Sequence, residues 1–260
     1  MHRKAGAAGT SLYRAPRGHS PLANMKTYSI IVPAYNEEQL LPATLRALRQ
    51  EMQRLEATGE VIVVDNNSTD RTAAIAADSG ARVVFEPVNQ ISRARNAGAR
   101  AARGRYLIFV DADTVPSSGL LPQVLRNLED GNCCGGGARV SFADAQAGLG
   151  RTLGEWVVKV THGFGVAGAC FLYSSREAFD AIGGFSEKVY AGEEIWISRA
   201  LRRWGRSRGQ RFEIIDEHPA LTSARKLAHP WKMLFALLLF SLLPIASRWR
   251  AFCFFWYGRR

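Results

Sequence analysis

The chain has 260 residues, 47% hydrophobic and 22% charged, which is the balance of a globular domain and excludes a disordered or fibrous chain. Its 34 lysines and arginines against 23 acids leave a formal net charge of +11, so its partner is anionic: a phosphorylated substrate, an acidic membrane surface or a polyanion. The four cysteines form no CxxC pair and have no histidine at metal spacing, so they read as small buried hydrophobes in a reducing compartment and not as a zinc or disulfide scaffold.

Residues 1–25 are rich in Gly, Ala, Ser and Arg and lack an apolar core, which predicts a disordered basic tail and no secretory signal. Tyr28–Val32 reads as a buried strand closed by Pro33, and Glu37–Leu55 as an amphipathic helix. Val61–Val64, Ala81–Phe85 and Tyr106–Val110 read as strands, separated by helices at Arg71–Asp78 and Ile91–Arg103. Strand and helix alternating over short links predicts an α/β fold with a parallel sheet and right-handed crossovers.

Beyond Asp113 the pattern loosens. A helix is expected over Ser118–Leu128, then Gly135-Gly136-Gly137 as punctuation, a strand through Val140 and Phe142, and a helix over Arg151–Val160. A strand near Cys170–Tyr173, a helix from Glu193 and a strand at Phe212–Ile215 follow. The GxGxxG match at Gly163–Gly168 follows no strand and opens no helix, so it is not read as a dinucleotide site. The run Met233–Ala246 is apolar on all sides but shorter than the ~20 residues of a spanning helix. Trp231, Lys232, Arg248, Trp249 and Arg250 flank it, which suits a membrane interface, with a buried terminal helix as the alternative.

Two strands end in carboxylates: Val61–Val64 at Asp65, and Tyr106–Val110 at Asp111-Ala112-Asp113. Ligands of open parallel sheets bind beyond the carboxyl ends of strands. Residues two apart on extended backbone project to the same side, so Asp111 and Asp113 make an oxygen site for Mg²⁺ or Mn²⁺ holding a diphosphate. Asp65 can accept from a base or a ribose hydroxyl, while Asp70 reads as a helix cap.

Four ordered motifs together resemble family 2 of the GT-A glycosyltransferases: Ile31–Glu37, Val63–Asp70, Ala94–Gly98 and Asp111–Asp113, extended by Gly183-Gly184-Phe185 and Gly192-Glu193-Glu194. The resemblance implies a GT-A fold, Rossmann-like, with a mixed and mostly parallel sheet flanked by helices and followed by an apolar C-terminal helical tail. It implies a glycosyltransferase domain at 26–226, with a nucleotide-binding half at 26–113 and an acceptor half at 114–226. Residues 227–260 are then a membrane-associating tail.

The resemblance further implies that Pro33, Ala34, Tyr35 and Glu37, with Asp65 and Asn67, hold base and ribose. Tyr35 on the core rim is the competing reading. Arg93 and Arg95 would sit near the pyrophosphate or sugar, against the alternative of a solvated helix face. Asp113 would ligate the metal, with Asp111 and Ala112 beside it. Arg225, in Thr222–Lys226, would close over phosphate, and a plain basic turn explains it nearly as well. His218 reads first as a loop histidine and second as a third metal ligand.

Where the family has Glu-Asp, this chain has Glu193-Glu194. Glu194 is expected as general base and Glu193 as second choice, in an inverting single displacement needing Mn²⁺ or Mg²⁺. The expected partners are a nucleotide-diphosphate sugar, a lipid-linked or envelope glycan and an anionic membrane surface, with no nucleic acid and no reading of oligomeric state. The expected location is cytoplasmic, at the inner face of the membrane. A nucleotidyltransferase, and a catalytically weak membrane- or polyanion-binding protein on the same fold, are the alternatives.

Overall fold

The computed structural model describes residues 26–142, 149–168 and 170–225, with Trp231 and Arg248. The expected tail at 1–25 and almost all of the segment at 227–260 lie outside the described residues.

Four strands form the parallel half: β1 (Lys26–Ala34), β2 (Gly59–Asp65), β3 (Arg82–Phe85) and β4 (Gly104–Val110), side by side in the order β3-β2-β1-β4. Both faces of this half are covered, which is why β1 reads as an unbroken apolar run. Ile30 and Val32 enter one core with Leu41, Leu45 and Leu48 of α1 (Leu41–Met52) and Ala76 of α2 (Thr72–Asp78). Ile31 and Val64 enter the other, with Ala94 and Ala97 of α3 (Ile91–Ala101).

Two boundaries differ from expectation for local reasons. β1 continues through Pro33, because its pairing with β4 ends at Ile31 opposite Phe109 and the missing proline N–H is not needed there. α1 begins four residues after Glu37, at Leu41, where Pro42 fits the first turn.

The second half contains β5 (Thr114–Pro116), α4 (Leu120–Glu129), β6 (Cys133–Phe142), α5 (Leu149–Gly163), β7 (Phe171–Ser175), α6 (Arg176–Ala181), α7 (Glu193–Arg206) and β8 (Arg211–Thr222). β7 runs antiparallel to both β4 and β6, and β8 parallel to β6 and antiparallel to β5, giving one mixed sheet in the order β3-β2-β1-β4-β7-β6-β8-β5. The three glycines expected as punctuation lie inside β6. A Cβ at Gly136 would collide with the Glu213 carbonyl and the Tyr173 ring, so these glycines permit close strand approach. The described cysteines Cys133, Cys134 and Cys170 are buried, as the sequence predicts.

Candidate active site

Ala34, Asp65 and Val110 are the carboxyl ends of adjacent parallel strands, so the segments that follow them emerge at one edge of the sheet. β1 lies between β2 and β4, which puts Asp65 and Asp111 two strand spacings apart, roughly 10 Å. The first two loops are interlaced. The Asn36 amide donates to Ser68 Oγ at 3.0 Å, Thr69 N–H to Asn36 Oδ1 at 2.8 Å, and Ser68 N–H to Asp65 Oδ1 at 3.0 Å. Asn36 and Asn67 take φ of +52° and +66°, a region asparagine tolerates. Asn67 Nδ2 donates to Asn89, and Asp70 accepts from Glu38 N–H and from Thr72 N–H; it stands one residue before Arg71, the N-cap position of α2, so it braces the helix start without being its cap residue. Tyr35 is 40% exposed at this edge.

A second knot gathers around Arg225, just past β8. Its guanidinium donates to both Glu37 oxygens, at 2.9 and 2.5 Å, and to Asp113 Oδ2 at 2.8 Å. Burial alone would lower its pKa, but Glu37 and Asp113 more than offset that and hold it above the ordinary value. The loop is pinned where this requires. Thr222 pairs with Thr114 across β8 and β5, and Ser223 N–H donates to the Asp113 carbonyl. Pro33 and Ala34 lie beneath in β1, while the buried Ala112 carbonyl accepts from Thr44 Oγ1 at 2.8 Å and fixes the turn between the two aspartates.

A third knot joins the two halves. Arg95 is 2% exposed, and donates from Nη2 to Asp111 Oδ1 at 2.9 Å and from Nη1 to Glu193 Oε1 at 2.7 Å. Desolvation would lower its pKa, and the two carboxylates raise it above the usual arginine range. The alternative of a solvated helix face is therefore wrong for Arg95. Arg93, two residues earlier, faces elsewhere and pairs with Glu86 and Glu187 at 3.4 and 3.1 Å.

Gly192, at φ +74°, turns the chain into α7 so that Glu193 and Glu194 occupy its first turn. Glu194 is partly exposed as a residue, yet its carboxyl is set into the protein. That burial pushes its pKa up to about 8, and the charge of Glu193 adds to the rise.

His218 stands apart from these knots. Its ring lies against Gly119 at the start of α4, so it is not brought beside Asp111 and Asp113. Sequence reasoning missed two residues that clasp the segment leading into α7. Gln90 Nε2 donates to the carbonyls of Glu187 and Val189, both at 2.9 Å, and the Asn96 amide pairs with the Phe185 backbone at 3.0 Å each way. The signal was present: α3 carries polar residues among small ones on its packed side, where a helix without a site would carry leucines.

The donor set fits a divalent cation completed by substrate. Among the described residues, Asp113 Oδ1 holds only long contacts, 3.4 and 3.5 Å, to Thr222 and Thr114. No group of three or more His, Cys, Asp and Glu side chains able to hold a metal occurs among the described residues. Two aspartates with diphosphate oxygens and water filling the remaining positions is the arrangement that hard cations of the Mg²⁺ and Mn²⁺ kind accept.

The mixed sheet, with its edge of carboxylates and arginines, is a GT-A glycosyltransferase fold. Residues 29–176 match the model of Glycosyl transferase family 2, and the chain belongs to that family; the protein is a glycosyltransferase. An uncharacterized glycosyltransferase of Mycobacterium tuberculosis is 32% identical over 181 residues, which are 68% of this chain and 80% of that one. Among solved structures, the mannosyltransferase PcManGT of Pyrobaculum calidifontis, in complex with GDP-Man and Mn²⁺, superposes with a TM-score of 0.59 at 21% identity, over 82% of this chain and 61% of that one. Glucosyl-3-phosphoglycerate synthase of M. tuberculosis, in complex with Mn²⁺, UDP-glucose and phosphoglyceric acid, gives 0.58 at 21%, over 82% and 79%. No helix among the described residues is long and apolar enough to cross a membrane.

Proposed function

We propose that this glycosyltransferase is metal-dependent and inverting, and moves a sugar from a nucleotide-diphosphate sugar to an acceptor hydroxyl on a lipid-linked or cell-envelope glycan. The observation that carries the reading is the chain of contacts Glu37–Arg225–Asp113 and Asp111–Arg95–Glu193 along one sheet edge.

Asp65, Asn67 and the Pro33–Glu37 loop receive the base and ribose, with Tyr35 exposed beside them. Asp113 and Asp111 are the residues that would hold Mn²⁺ or Mg²⁺, which when bound supplies positive charge against the charge developing on the leaving diphosphate. Arg225 turns from its carboxylates to the phosphate oxygens, where a planar guanidinium pairs bidentately. Arg95 occupies Glu193, so Glu194 is the carboxyl left to take the proton of the acceptor hydroxyl as it attacks the anomeric carbon. One displacement inverts that carbon, and the protein needs no nucleophile of its own. The catalytic domain on this reading spans 26–226, and the apolar, basic stretch at 227–260 holds it at the inner face of a membrane.

A thermal-shift panel of UDP-, GDP- and dTDP-sugars tests the reading. One donor is expected to raise Tm with Mn²⁺ present; a ligand at a hundred times its Kd stabilises by about 2.7 kcal/mol. Chelation or Asp113→Asn should remove the shift. If no donor is bound or turned over with Mn²⁺, the reading is abandoned.

A further inference from the structure

We propose that the exposed stripes of α5 and α7 form a docking surface for an anionic lipid bilayer. The inference rests on the membrane-borne acceptor proposed above and adds the part of the fold that meets the bilayer.

In α5, Leu149, Leu153, Trp156 and Val160 recur at spacings of four, three and four, which sets them on one helix face, and Phe164 follows in the turn just past its end. Much of that face is turned away from protein: Trp156 is 58% and Phe164 73% exposed, whereas the buried residue of α5 is Gly154. Large aromatics clustered in solvent mark an interaction surface.

α7 supplies the basic counterpart. Trp196, Arg199, Arg203 and Arg206 follow at spacings of three, four and three, again one face, and all four are exposed. Between Glu194 and Glu213 the chain has six arginines and no acid, where a merely solvated face would mix both signs. The two helices are tied together at the end of α5: Arg202 Nη1 donates to the Phe164 carbonyl at 2.6 Å, and Ala167 N–H to Ser198 Oγ at 3.1 Å.

Charge decides the occupant. A second copy would bring another +11 against an arginine stripe and be repelled. An anionic bilayer satisfies both halves, with tryptophan and phenylalanine entering at headgroup depth and arginines meeting lipid phosphates. Glu194 and Trp196 share the first turn of α7 but point about 200° apart, so the stripe stands at the same end of the helix as the proposed proton acceptor and on a different face.

Co-sedimentation of the full chain with phosphatidylcholine vesicles, with and without phosphatidylglycerol, is the test. Binding is expected only with the anionic lipid and should weaken with salt. Arg199→Gln with Arg203→Gln should weaken it about fivefold per arginine, ~1 kcal/mol each. Trp156→Ser with Phe164→Ser should weaken it about tenfold or more. Wild-type binding in both double variants would place the contact elsewhere in the chain and overturn the proposal. A dimer that these substitutions dissociate, without vesicle binding, would assign the face to a second copy and also overturn it. The donor-plus-Mn²⁺ thermal shift, measured without vesicles, should persist in both variants and shows that they fold. Loss of that shift in the wild type with vesicle binding intact would sink the function proposed above and leave the surface standing.

Discussion

Arg95 and Glu193 are 98 residues apart in sequence and 2.7 Å apart in space, joined across the interior of the protein. The same guanidinium holds Asp111, so the carboxylate beside the proposed metal site and the one beside the proposed base share a single buried cation. The parallel half of the sheet and the half that follows it are thereby set in one geometry.

Replacing Arg95 by Met should destabilise the fold by about 3 kcal/mol, because Glu193 would be left as a buried, unpaired charge. For a domain of this size that lowers Tm by roughly 6–12 °C. Arg95→Met combined with Glu193→Gln should recover part of the loss, and a double-mutant cycle in thermal denaturation measures how much. Arg95→Lys should not substitute, since one ammonium cannot span both carboxylates. Additive losses in the cycle would show that the contact carries no coupling.

Burial, and secondarily the charge of Glu193, raises the Glu194 carboxyl from its ordinary 4.5 to about 8. Between those values the folded protein holds more protons than the unfolded chain, so this group's contribution makes stability fall as pH rises through the window. Glu194→Gln should therefore raise Tm above pH 8 and leave it unchanged below pH 4.5. A base must be deprotonated to act, so kcat/KM should climb with pH along a limb centred near 8. Glu194→Gln should abolish that limb and lower kcat by roughly 10²–10⁴-fold. Glu193→Gln removes the neighbouring charge and should move the limb to lower pH. A limb that survives in Glu194→Gln assigns the base elsewhere.

The parallel half was legible because each central strand is buried on both faces and ends abruptly at a polar residue, a pattern few other structures produce. The strand-end positions of Asp65, Asp111 and Asp113 were legible for the same reason. The second half was harder. β6 opens on glycines that look like a turn, and β8 carries Asp216, Glu217 and His218 in its middle, which hides a strand of twelve residues. Arg95 and Arg93 read alike in sequence, but two positions on a helix differ by about 200° in direction, so one is buried and the other pairs at the surface. The partnership of Glu37 with Arg225 spans 188 residues and leaves no local trace.

That partnership supports the last prediction. Arg225 satisfies Glu37, a buried carboxylate, and at the same time covers Asp113. Removing it frees Asp113 but deletes the guanidinium proposed to meet the donor phosphates. Charge-assisted contacts of this kind contribute about 1.5–3 kcal/mol. Arg225→Met should therefore lower kcat/KM for the nucleotide-sugar by roughly 10–150-fold, mostly through KM. It should also lower Tm, because Glu37 loses two hydrogen bonds. Arg225→Lys should keep part of the phosphate attraction, yet fail to span Glu37 and Asp113, whose bridging needs a planar fork. Steady-state kinetics with varied donor at saturating Mn²⁺, beside thermal denaturation, separates the two effects. A large fall in Tm with kcat/KM unchanged would leave Arg225 as a purely structural clamp.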